Sequence, residues 1–221
     1  MDRAYDVITF DCYGTLVDWN RGIRAAFRAM ATADGVGVDL DALLAAYHEL
    51  EPVVEAEGFR PYREVLAETA RRAAGRLGWP LSEARARYLA ESLPDWPLFA
   101  DTNPALQRLA GAGYRLGILS NVDDDLLAGT RHHLAVPFEL IVTAQQVRSY
   151  KPAPGHFLAA RARIGDARWL HAAQSYFHDI APAAALGIDT AWINRLREAP
   201  GGDARPVAEF TTLAELAGWL A

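Results

Sequence analysis

Much that would place this chain at once is missing from it. A single cysteine, Cys12, excludes an internal disulfide framework and a thiolate cluster for zinc, so a reducing, cytoplasmic setting is the expectation. No apolar run approaches the roughly 18 residues that would span a bilayer, and the N-terminus shows no signal-peptide pattern, which argues against a membrane role. Positive charge is also short. The 22 Lys and Arg face 28 Asp and Glu, and the net charge of −6 is the wrong sign for a nucleic-acid or anionic-membrane footprint. An anionic substrate would have to meet its positive partners locally. Internal repeats and low-complexity tracts are absent too. What remains is an ordinary globular composition, 51% apolar and 23% charged, in 221 residues that can bury a sizeable core.

The chain changes rhythm twice. "YDVITF", residues 5–10, is short, β-rich and bounded by polar residues, which predicts a buried strand. From Trp19 to about Leu93, apolar residues recur every three to four positions, with breaks at "DGVGVD", "EGFRP", "LGWP" and "LPDWP" that mark out about four helices. After Trp96 strands and helices alternate: a helix near Asn103 to Ala112, then "YRLGILS", "FELIVT", "WLHAAQS" and "DTAWIN" with helical segments between them. Such alternation predicts an α/β fold, a Rossmann-like, doubly wound parallel sheet formed by residues 1–18 and 96–221. Residues 19–95 then form an all-helical cap inserted after the first strand. The segment "RLREAPGGDARP", 195–206, is the expected flexible loop.

In an open parallel sheet the ligand lies at the carboxyl ends of the strands, near the point where strand order reverses. Asp11, Ser120 with Asn121, Lys151 and Asp179 all follow predicted strands, so an acid, a hydroxyl with an amide, a lysine and a second acid face one rim. Asp11 reads either as a nucleophile that forms a covalent ester or as the polar stop of a buried strand. Gly14 permits a sharp turn, and Thr15 could bond Asp11 or a substrate oxygen. Asp18 fits local structure, such as a helix cap. Ser120 and Asn121 could cap the next helix, and Asp179 could direct a water or cap "IAPAAALG". Lys151 would keep a neighbouring carboxylate ionised. His178 reads as structural, despite its place beside Asp179.

"DCYGTLVD" followed by a helical insert, then "LSN", "YKP" and the segment around Asp179, resembles the haloacid dehalogenase superfamily, and Tyr13 resembles its L-2-haloacid dehalogenase branch. The resemblance implies that Asp11, Lys151 and Asp179 are catalytic. It implies that Tyr13, Thr15, Ser120, Asn121, Tyr176 and, from the cap, Arg63 contact substrate. In the superfamily's phosphatases the residue two after the nucleophile is an aspartate that protonates the leaving alcohol, an effect of about 10² to 10⁴ in rate. A tyrosine with a pKa of about 10 is a poor acid near neutral pH, whereas a halide needs no proton. The expected reaction is hydrolysis of a short 2-haloalkanoic acid to the 2-hydroxy acid, with no cofactor. The partners are then a small anionic substrate and halide, with no nucleic acid or membrane, and an exposed apolar cap helix would support a homodimer.

Two rivals remain at this point. One is a phosphatase with Mg²⁺ on Asp11, the Tyr13 carbonyl and Asp179. The other is a degenerate member that binds a metabolite without turnover. The second is motivated by departures from the family pattern: "LLAAYHELE" carries Tyr47 and His48 but no arginine, leaving Arg60 or Arg63 as substitutes. Gln174 and Tyr176 stand where the family has a serine and an asparagine, and Phe157 where it often has a tyrosine. Tyr13, Trp19, Tyr47, Tyr62 and Tyr176 are candidates to wall a dry pocket.

Overall fold

The computed structural model describes residues 3–221. Strand β1 (Val7–Phe10) is followed by helices α1 (Trp19–Asp34), α2 (Leu40–Ala56), α3 (Tyr62–Arg76), α4 (Glu83–Ala86) and α5 (Tyr88–Ser92) and a 3₁₀ turn at Leu93–Asp95. Then come α6 (Thr102–Gly111), β2 (Arg115–Ser120), α7 (Asp124–Arg131), β3 (Leu140–Thr143), α8 (Ala144–Val147), α9 (Gly155–Ile164) and β4 (Trp169–Ala173). A five-residue π turn, Tyr176–Ile180, precedes α10 (Ala181–Ala185), β5 (Asp189–Ile193), β6 (Ala208–Phe210) and α11 (Leu213–Leu220). Two compact units result. One takes in the chain up to Asp18 with Leu98–Asn121 and His132–Ala221, and the other comprises Trp19–Pro97 and Val122–Arg131.

In the first unit all six strands are parallel, in the order β3-β2-β1-β4-β5-β6. This is the α/β, doubly wound sheet expected, with a helical cap segment inserted after β1. β1, β2 and β4 are buried along nearly their whole length, as continuous apolar strands covered by helices must be. On one face Phe157, Ala160 and Ile164 of α9 pack against Leu119, Val142 and Trp169; each large side chain so buried contributes roughly 1.5–3 kcal/mol. The chain leaves β1 to build β2 and β3 on one side, then returns to place β4 on the other. The strand order therefore reverses beside the carboxyl end of β1. The edge strand β6 was not expected, being only three residues long and without alternation. Along the 195–206 loop the Asn194 amide bonds both backbone groups of Glu198, and the Ala204 carbonyl accepts from Tyr176.

The second unit is helical. The expected fourth helix is split at Arg87 into α4 and α5. Its interior is aromatic: Trp19 lies edge-on to Tyr47 and Trp96, and Phe27 edge-on to Tyr47 and Trp79. Gly22 is required where α1 passes Trp96, because a Cβ there would come within 2.2 Å of the indole. Helix α3 begins at Pro61 with no side-chain cap of its own. Its first amides, Tyr62 and Arg63, donate instead to the buried carboxylate of Asp123, at 2.8 and 3.0 Å.

Candidate active site

The segment after β1 curls back at once. The Asp11 amide continues the ladder to Ala172, the Cys12 carbonyl accepts from both Leu16 and Val17, and the Gly14 amide donates to Val17. Gly14 sits at φ +94°, a conformation open to glycine and strained for other residues. The curl returns Thr15 to Asp11. The Thr15 hydroxyl donates to Asp11 Oδ2 at 3.1 Å and accepts from the Gln174 amide at 2.9 Å, which joins the ends of β1 and β4. Arg195 steadies the same turn from the far side. Its guanidinium donates to the Thr15 carbonyl at 2.9 Å, pairs with Asp101 and lies 3.8 Å over the Phe99 ring.

Lys151 lies in the segment between α8 and α9, and its ammonium is buried. Its three protons have three acceptors: Asp11 Oδ1 at 2.9 Å, Asp179 Oδ1 at 2.5 Å and the Leu119 carbonyl at 2.9 Å. The lysine is aimed from its own backbone. Asn121, just past β2, accepts from the Lys151 amide at 2.7 Å and donates to the Lys151 carbonyl at 3.0 Å. Beside it the Ser120 carbonyl accepts from His156, whose imidazole is pushed down to about 3 by burial and by the Lys151 charge.

Asp179 occupies the π turn. The cap of that turn is Ser175, whose hydroxyl accepts from the His178 amide, so the alternative of Asp179 as a helix cap does not hold. Burial opposes ionisation of Asp179, but Lys151 and a hydrogen bond from His171 outweigh it and hold the carboxyl well below the usual range. Asp11 moves the other way. Burial raises it, and the Asp179 charge adds to the rise against Lys151. One ammonium serves two carboxylates, so one net negative charge lies in a dry site, and Asp179 takes the larger share of the neutralisation. Both carboxylates in turn hold Lys151 protonated against its own burial.

Asp11, Thr15, Lys151 and Asp179 thus converge on one rim, as expected from strand order. Ser120 is buried at the end of β2. Tyr13 is half-buried and its backbone pairs across the curl with Val17. Three expected substrate contacts are used otherwise. Asn121 holds the backbone of Lys151. The Tyr176 hydroxyl donates to the Ala204 carbonyl, with its ring against Trp192. Arg63 forks onto Asp123 and Asp125 within the helical unit, so its charge is already matched. Of the other aromatics, Trp19 and Tyr47 belong to the interior of that unit, and the hydroxyls of Tyr47 and Tyr62 both donate to Glu51. A Mg²⁺ ion held by Asp11, the Tyr13 carbonyl and Asp179 would have to share the carboxylates with Lys151 and Thr15. The Lys151 ammonium stands between the two carboxylates, and both oxygens of Asp11 are engaged.

His171 and Arg195 escaped sequence reasoning. The signal for His171 was a polar residue inside an apolar central strand, and that for Arg195 a cation just past the end of β5.

A family model, haloacid dehalogenase-like hydrolase, matches residues 5–173. The chain belongs to that family. Among curated relatives it is 25% identical to an (S)-2-haloacid dehalogenase of Pseudomonas putida over 96% of this chain and 95% of that one. Among solved structures it resembles the L-2-haloacid dehalogenase of Xanthobacter autotrophicus with chloropropionic acid covalently bound. The TM-score is 0.82 at 18% identity, covering 97% of each chain. It also resembles a putative hydrolase of the family from Bacillus subtilis bound to magnesium, with a TM-score of 0.83 at 20% identity over 99% of each. At such identities the two structures show the shared fold. No helix among the described residues is long and apolar enough to cross a membrane.

Proposed function

We propose that this hydrolase cleaves the carbon–halogen bond of a short 2-haloalkanoic acid and releases the 2-hydroxy acid. The observation that carries the reading is the buried Asp11–Lys151–Asp179 cluster with a tyrosine, not an acid, two residues after Asp11. An Asp11 oxygen attacks C2 from behind, the C–X electron pair leaves with the halide, and C2 is inverted. The product of this step is an ester on Asp11. Water then adds to the Asp11 carboxyl carbon and passes a proton to Asp179. The bond from the Asp11 carboxyl carbon to the oxygen on C2 then breaks, its electron pair goes to that oxygen, and Asp179 returns its proton there as the hydroxy acid leaves, while the second proton of the water is lost from the restored Asp11 carboxyl to solvent. Lys151 keeps Asp11 ionised for the first step, and the second restores it. No step needs a metal. The dehalogenase relatives, one with chloropropionic acid covalently bound, support the reading.

A single turnover in ¹⁸O-water tests it. The heavy oxygen is expected first in Asp11, and label passing straight into product would sink the mechanism. The magnesium-bound neighbour motivates the phosphatase alternative, which requires turnover that chelation abolishes. A non-catalytic role is rejected by halide release that disappears in Asp11→Asn.

A further inference from the structure

His171 is fully buried in the middle of β4, a strand with neighbours on both sides and otherwise apolar apart from the polar Thr9 across from it. An imidazole in such a place is costly unless each nitrogen is satisfied. Both are: Nε2 lies 2.9 Å from Asp179 Oδ1, and Nδ1 lies 2.8 Å from Thr9 Oγ1. Thr9 Oγ1 also accepts from the Trp169 indole N–H at 2.7 Å. One proton can be placed from these partners. Asp179 is ionised and only accepts, so Nε2 carries the hydrogen. Nδ1 meets the Thr9 hydroxyl, which also receives the indole. The ring is further fixed edge-on against Phe157 at 5.3 Å. The side chains nearer Asp179 in sequence point elsewhere, Gln174 to Glu198 and Tyr176 to Ala204.

We propose that His171 is the positioning residue of the hydrolytic acid: the Trp169–Thr9–His171 chain locks Asp179 Oδ1 so that its other oxygen meets the water that cleaves the Asp11 ester. The inference rests on the proposed role of Asp179 in ester hydrolysis. It assigns His171 to the second chemical step and leaves the first to Asp11 and Lys151. A misplacement of about 1 Å of a reacting group can lower a rate by about 10²-fold.

Rapid-quench single turnovers of (S)-2-chloropropionate, read by intact-protein mass, separate the two steps. In His171→Leu the ester on Asp11 is expected to accumulate, because hydrolysis slows by about 10²-fold while first-turnover halide release stays within about threefold. His171→Gln retains an N–H near the Nε2 position and is expected to recover most of the hydrolysis rate. Equal slowing of both steps, or hydrolysis unchanged in His171→Leu, overturns the proposal. Nitrogen-15 spectra of the histidines give a second readout that needs no turnover. A hydrogen on Nε2 of His171 is expected in the wild type, with a shift in Asp179→Asn, and an Nε2 without hydrogen or an unmoved signal overturns the proposal. If the wild type releases no halide from any 2-haloacid, the dehalogenase reading fails by itself, and the spectra still decide whether His171 holds Asp179.

Discussion

In the sheet unit the decisive charges are out of water, whereas the helical unit, the buried Asp123 apart, keeps most of its charges on the outside. Lys151, Asp11 and Asp179 are buried and share hydrogen bonds with one another and with Thr15 and His171. The helical unit pairs Arg24 with Asp41, Arg60 with Glu57, Arg76 with Glu49 and Arg87 with Glu83, all at least a quarter exposed. Its interior is instead a cluster of Trp19, Phe27, Tyr47, Trp79 and Trp96. The contrast separates two uses of charge. Surface pairs are screened and contribute little, while buried ions are expensive to keep and are tolerated only with complete sets of partners. A fully partnered buried cluster at a strand-order reversal is therefore a strong pointer to chemistry.

The largest expected break of this contrast is Lys151→Met. It leaves two buried carboxylates facing each other without their cation, and loss of one member of a buried pair costs about 3–5 kcal/mol. Urea unfolding at neutral pH should show a loss of that size together with loss of turnover. A loss below about 1 kcal/mol would mean that the cluster is far better solvated than its burial indicates.

Acid should also act on the sheet unit first. Folded His156 stays neutral down to about 3, whereas the unfolded residue takes up its proton near 6.5. Between those values the unfolded chain binds a proton that the folded chain refuses, so stability falls as pH falls. The contribution is about 1.4 kcal/mol per pH unit across that window. His156→Gln keeps a donor for the Ser120 carbonyl and has no proton to take up. Its stability should fall less steeply than the wild type's between about pH 6 and pH 4, and parallel curves would refute the assignment.

How much of this could be read from the chain follows the same division. The alternation after Trp96 and the polar residues at strand ends were legible, because both are set by local periodicity and by the geometry of a parallel sheet. They were enough to bring Asp11, Thr15, Lys151 and Asp179 together. The tasks of individual side chains were not legible. Asn121 clasps Lys151, Tyr176 reaches Ala204, Arg195 holds the Thr15 carbonyl and His171 holds Asp179, and several of these partners are far apart in sequence. His178 is the histidine next to the acid in sequence. The one bonded to the acid is His171, because the π turn carries Asp179 back over β4. Arg63 was a candidate for substrate because "LLAAYHELE" carries no arginine. Its two aspartates arrive from Val122–Arg131, a segment that follows β2 and belongs with the helices.

The smallest effect sharpens the comparison from the other side. Arg76 and Glu49 join α3 to α2 at 2.7 Å, with side chains 49% and 69% exposed. A pair so open to water gains little Coulomb energy, restricts two long side chains and is screened by salt. A double-mutant cycle of Arg76→Ala and Glu49→Ala should give a coupling below about 0.5 kcal/mol that fades further in high salt. The same cycle on Lys151 and Asp179 should give several times as much and be nearly insensitive to salt, because no counterion reaches a buried pair. Comparable couplings in the two cycles would erase the distinction between a charge that decorates a helix and one that is held for chemistry.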